Sequence, residues 1–140
     1  MLIHVHNSQK DLKLSKKAVR QIVQAVLDDL GSTHTEVSIY FVTQAKICAL
    51  HDQFFQDPTP TDCISFPLDD EHLGEVFVCP KAALEYAPED PHNEVALYII
   101  HGLLHCLGYD DLEPVAKRAM RKKEKSCMAL INNLKVELAP

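Results

Sequence analysis

The five cysteines (Cys48, Cys63, Cys79, Cys106 and Cys127) are scattered and include no C-x-x-C pair. An odd number of thiols without a framework excludes a disulfide scaffold and points to reduced cysteines in a cytosolic compartment. No apolar run approaches the ~18 residues of a membrane span, and the N-terminus lacks a signal-peptide pattern. A soluble, cytoplasmic chain with no membrane partner is expected. Positive charge is also in deficit, with 14 lysines and arginines against 20 acids for a net charge of −6. That balance argues against sequence-independent phosphate binding over the whole surface and leaves room only for a local basic face. Internal repeats, low-complexity tracts and long linkers are absent, so residues 1–140 form one expected domain. A chain of this length buries about two thirds of its unfolded surface. Hydrophobic content of 46% and charged content of 24% exclude disorder.

Against this background one stretch stands out: His101-Gly-Leu-Leu-His105-Cys-Leu-Gly108-Tyr-Asp-Asp111. From Val95 to Leu107 almost every residue is apolar or small, the pattern of a helix buried on all sides. Two imidazoles four residues apart share one face of that helix. Burying them costs free energy unless they find partners, and one metal ion satisfies both. Gly108 is a natural left-handed residue to end the helix, turning the chain so that Asp111 offers a third ligand. Asp110 is the adjacent alternative. The bland reading is two core histidines bonded to backbone carbonyls or water, with Gly108 an ordinary stop. Cys106 follows His105 by about 100° of helix rotation and so points away from the histidine face, into the core.

The remaining chain alternates strands and helices. Leu2–His6 reads as a strand, with His4 and His6 on one face as surface residues. Ser15 caps a helix whose Val19, Ile22, Val23, Val26, Leu27 and Leu30 recur at helical spacing up to Gly31. Glu36–Val42 is a strand, and Thr43 caps a helix running to Phe54, with Ile47, Leu50 and Phe54 facing inward. Two prolines and two aspartates in Asp57–Asp62 make a loop. Strands are expected at Cys63–Phe66 and Glu75–Cys79, with a polar turn at Asp69-Asp70-Glu71 between them. A short helix at Lys81–Tyr86 is followed by Asp90-Pro91, cap and first residue of the histidine helix. Pro114 opens a last helix, lined inside by Ala116, Ala119, Met120, Cys127, Leu130 and Ile131. Its other side is basic: Lys117, Arg118, Arg121, Lys122, Lys123 and Lys125. The pattern predicts an α+β fold: a single domain with a small mixed four-stranded sheet packed with helices.

His101-Gly-Leu-Leu-His105-x-Leu-Gly108-Tyr109-Asp110 resembles the signature of the YbeY family of metal-dependent endoribonucleases. Pro60-Thr61-Asp62-Cys63-Ile64-Ser65-Phe66-Pro67 resembles the P-T-D-V-L-S-F-P segment of the same family, and Leu73-Gly74-Glu75-Val76 its L-G-D-[IV] segment. The likeness of layout covers essentially the whole chain. It implies one zinc ion in a cleft beside the sheet and single-stranded RNA as substrate. It also implies a role in small-subunit ribosomal RNA maturation and ribosome quality control, with the small subunit or a ribosomal protein as partner. The family register selects Asp111 over Asp110 as the third ligand, at a position where the family usually has histidine. Phe54-Phe55 stands where the family carries a Y-R pair, and a nearby lysine of the usual pattern is absent.

A His101–His105–Asp111 set is compatible with zinc distances, and its oxygen ligand makes manganese or iron more competitive. The carboxylate lowers the charge of the loaded site from +2 to +1. A unit charge at ~4 Å is worth about 4 kcal/mol at an effective dielectric near 20. With the arginine missing as well, the expected consequence is weaker hold on an anionic phosphodiester and a weaker nuclease, or one that borrows cations from a partner. The ion would polarise a phosphoryl oxygen and activate or orient a water. No general base or substrate-binding residue is identified by sequence. A zinc peptidase of the H-E-x-x-H kind needs glutamate at position 102, and here it is Gly102. The same ligand set occurs in non-haem iron oxygenases, but the P-T-D segment favours the nuclease family. The competing reading is a non-catalytic ribosome-assembly or RNA-binding factor with a structural metal site.

Overall fold

A computed structural model describes residues 1–140. Four strands, β1 (Leu2–Asn7), β2 (Glu36–Phe41), β3 (Cys63–Pro67) and β4 (His72–Val78), form one sheet in the order β1-β2-β4-β3. β1, β2 and β4 run parallel, and β3 returns antiparallel to β4. Five helices complete the α+β fold: α1 (Lys16–Asp29), α2 (Gln44–Phe55), α3 (Pro80–Tyr86), α4 (Pro91–Cys106) and α5 (Pro114–Asn133). The expected mixed four-stranded sheet is thus present.

Local chemistry sets most of the boundaries. The Ser15 and Thr43 hydroxyls accept hydrogen bonds from the Ala18 and Lys46 amides, at 3.1 and 3.2 Å, capping α1 and α2. β4 starts three residues before the expected Glu75. Asp69 Oδ1 accepts from the amides of Glu71 and His72, tightening the hairpin so that pairing begins at once. Cys79 then leaves the strand and precedes α3.

The main core lies between one face of the sheet and helices α1, α4 and α5, with Val19, Ile39, Phe41, Val76, Ile99, Leu103 and Leu104 essentially inaccessible. A smaller cluster, with Ile47, Leu50 and Ile64, lies under α2. The same side carries an aromatic ladder across the strands. His6 stacks on Tyr40 at 4.8 Å and Tyr40 on Phe77 at 4.6 Å, and Phe77 meets Phe66 edge-on. Phe54 is not inward-facing as its spacing predicts. It is half exposed, tilted against Phe66 at 4.8 Å, because the last turn of α2 overhangs the small cluster. Ala119 on α5 is likewise exposed; only Met120, Cys127 and Ile131 of that helix are fully buried.

Two glycines set α4 against the β3–β4 hairpin. A Cβ on Gly102 would overlap Val76 Cγ1 and lie 3.0 Å from Cys63 Sγ; one on Gly74 would lie 2.6 Å from the Phe66 carbonyl and 2.7 Å from Cys106 Sγ. The helix therefore sits closer to the sheet than any side chain would allow. This approach fixes the height at which His101 and His105, on either side of Gly102, emerge.

Candidate metal-binding site

α4 begins as its sequence dictates. The Asp90 carboxylate accepts from the Asn93 amide at 3.2 Å, and Pro91 occupies the first turn. It ends in a Schellman turn: the Gly108 amide donates to the His105 carbonyl and the Tyr109 amide to the Leu104 carbonyl, both at 3.0 Å. Gly108 has φ +100°, the left-handed conformation that lets the chain reverse. Beyond it, Asp110 Oδ1 is engaged with the Leu112 amide, while Asp111 comes back toward the histidines.

His101, His105 and Asp111 each place one ligand-type atom within 4.8 Å of the other two. His101 Nε2 and His105 Nε2 face one another at 3.0 Å, with rings nearly perpendicular. Two nitrogens bound at ~2.0 Å to one tetrahedral ion stand about 3.3 Å apart, so the pair needs little movement to share an ion. On the far side of the His101 ring, Nδ1 lies 2.9 Å from Glu124 Oε1 of α5. The Glu124 side chain is only 16% exposed, so the contact is sheltered from water. A carboxylate there holds the proton on Nδ1 and leaves the Nε2 lone pair aimed at the space shared with His105 and Asp111. The donor set therefore fits a divalent transition ion. Burial opposes charge on His101, but the hydrogen bond and charge of Glu124, with Asp62 and Asp111 adding to them, raise its pKa above the ordinary value.

Neither thiol beside the site belongs to the converging set of His101, His105 and Asp111. Burial pushes the Cys106 thiol up to about 12, and Cys63 is raised further by burial and by Asp62. Cys106 packs against the core, as its helix position requires.

His101 stands between two clefts. One, of about 560 Å³, is acidic, with Asp62, Glu85, Glu94 and Glu124 in its walls. Burial, then the charges of Asp62 and Glu89, raises the Glu94 pKa. The other, of about 500 Å³, is bounded by His51, Phe55, Ser65, His105 and Tyr109. Phe55, half exposed, thus presents an aromatic wall beside the candidate ligands. His4 and His6 take no part: His4 pairs with Glu36 at 2.6 Å and His6 stacks on Tyr40.

Glu124 escapes a reading of the sequence that sees only the basic run around it. A signal was present. Met120, Glu124, Cys127 and Ile131 are spaced four, three and four, so the glutamate occupies a seam position that is otherwise apolar. An acid in such a seam needs a buried partner.

A helix-borne histidine pair, a carboxylate returned by a glycine turn and a second carboxylate behind the first ring form a candidate cation site beside the β3–β4 hairpin of an α+β fold. A family profile described as endoribonuclease YbeY matches residues 4–132, and the chain belongs to that family. It is 46% identical to the endoribonuclease YbeY of Protochlamydia amoebophila, covering 97% of each chain. It is 36% identical to that of Chlamydia pneumoniae, over 92% of this chain and 90% of the relative. The solution structure of a Thermotoga maritima protein shares the fold, with a TM-score of 0.67 and 25% identity, covering 96% of this chain and 92% of that one. No helix is long and apolar enough to cross a membrane.

Proposed function

We propose that this chain is a metal-dependent endoribonuclease acting on single-stranded RNA, with His101, His105 and Asp111 as ligands of one divalent ion. The observation that carries the reading is the convergence of those three donors within 4.8 Å, two of them (His101 and His105) lining a cleft, in a member of the endoribonuclease YbeY family. Zinc is the ion assigned, with manganese or iron as competitors because one ligand is an oxygen. Family resemblance supports small-subunit ribosomal RNA as substrate, a part in ribosome maturation and quality control, contact with the small subunit or a ribosomal protein, and a cytoplasmic site of action.

A divalent ion in this position supplies Lewis acidity toward a phosphoryl oxygen. His101 and His105 offer Nε2, and Glu124 keeps the His101 ring turned and its Nδ1 proton in place. Asp111 contributes a negative charge that a histidine there would not, which weakens attraction for phosphate. Phe55 offers a flat face on which an unpaired base can stack, an option closed to bases inside a duplex.

The phenylalanine in place of a cation and the anionic third ligand also favour a second reading, a ribosome-assembly factor that binds RNA without cutting it. Cleavage of a ribosomal RNA precursor with added zinc or manganese separates the two. The enzyme reading expects cleavage that His101→Ala abolishes while circular dichroism shows the fold intact. Ribosome binding without any metal-dependent cleavage assigns the chain to the second reading.

A further inference from the structure

α5 carries six of the 14 lysines and arginines of an acidic protein and a single acid, Glu124, which is turned inward to His101. Every ion pair in the protein is made by a histidine, so none of these cations is neutralised by a carboxylate. Lys117, Arg121 and Lys125 recur at every fourth residue, on successive turns of one flank. Together they span about 12 Å at 1.5 Å rise per residue. Arg121 and Lys125 line a groove of about 510 Å³ between α4 and α5. Leu97 and Glu124 belong to both this groove and the acidic cleft at His101, so the two are continuous.

We propose that this flank of α5 is the track for the RNA backbone leading to the site, with Lys117, Arg121 and Lys125 as phosphate-binding residues. The inference rests on the endoribonuclease reading and adds a location for the substrate to it. Charge complementarity favours a polyanion, and continuity with the His101 cleft favours the substrate strand over an unrelated one. The cleft itself supplies acids and an aromatic wall but little positive charge, so phosphate attraction must come from outside it. Arg121 and Lys125 in the groove wall, with Lys117 one helical turn away on the same flank, meet that need.

The test is binding of a fluorescent 2′-O-methyl oligouridylate, followed by anisotropy against salt, alongside steady-state cleavage of the unmodified strand. The zinc-loaded chain is compared with a Lys117→Gln/Arg121→Gln/Lys125→Gln variant and with a Lys16→Gln/Lys17→Gln control on α1. Each phosphate contact in a single strand contributes about 0.7 to the slope of log affinity against log salt, so the triple variant loses about 2. Its KM rises while kcat holds, and the α1 control matches the parent. A triple variant with unchanged slope and KM, beside a parent that binds and cuts, overturns this track and leaves the enzyme reading standing. Loss of binding to polyglutamate with RNA binding retained overturns it in favour of an acidic protein partner. A parent that neither binds nor cuts the strand removes the endoribonuclease reading, and the track with it.

Discussion

Glu124 provides the sharpest perturbation of the proposed site because it touches the candidate ligand His101 and is not itself one of the three proposed ligands. Its carboxylate meets His101 Nδ1 at 2.9 Å behind a nearly closed surface. Loss of such a contact behind a metal-binding histidine weakens binding about 10- to 100-fold, or about 1.4–2.7 kcal/mol. The two ends of that range correspond to two substitutions. Glu124→Gln keeps an oxygen that can accept from Nδ1 and removes only the charge, which places it near tenfold. Glu124→Leu leaves the Nδ1 proton without an acceptor in a sheltered position, which places it near a hundredfold. Competition titration of zinc against a chromogenic chelator reads both variants directly. The order parent, glutamine, leucine is expected. A Glu124→Leu chain that holds zinc as tightly as the parent would refute the claim that this carboxylate orients the ligand.

The remaining predictions concern the approach of α4, the third ligand and pH. Gly102→Ala in an ordinary helix would gain about 1 kcal/mol, but its Cβ would overlap Val76, and overpacking costs about 1–3 kcal/mol. Urea unfolding is therefore expected to show a net loss of up to about 2 kcal/mol, and a clearly stabilised variant would show that the helix is free to lift. Asp111→Asn should lower metal occupancy while Asp111→His preserves or raises it; unchanged occupancy in the asparagine variant removes Asp111 from the site. In the metal-free chain the His101 pKa is raised, so its pairing with Glu124 stabilises the fold fully below the ordinary histidine value and loses effect as pH rises through the raised one. The stability difference between metal-free parent and Glu124→Leu should accordingly shrink with rising pH, and a difference that grows would reverse the sign of the argument.

The fold was legible where the controlling chemistry is local. Ser15, Thr43 and Asp90 each cap a helix through their own side chains, and Gly108 takes the left-handed φ expected of it. The three groups now found together were legible for the same reason, since a helix and one glycine turn suffice to gather His101, His105 and Asp111. What lay out of reach depended on contacts between elements. Phe54 keeps helical spacing in the last turn of α2, where it meets Phe66 at the rim of the small cluster and stays half exposed, so periodicity alone misplaced it. The start of β4 depended on Asp69 closing a hairpin, and the glycine at position 74 masked the strand because its role is to let Cys106 and Phe66 approach. Glu124 sits 23 residues from His101, and only the packing of α5 on α4 brings them together.

Elemental analysis of the purified chain, beside His101→Ala and His105→Ala, tests the shared-cation claim most directly. One zinc, manganese or iron ion per parent chain and almost none in either variant is the predicted result. A parent that stays metal-free after incubation with these ions, or variants that load as fully as the parent, would contradict it.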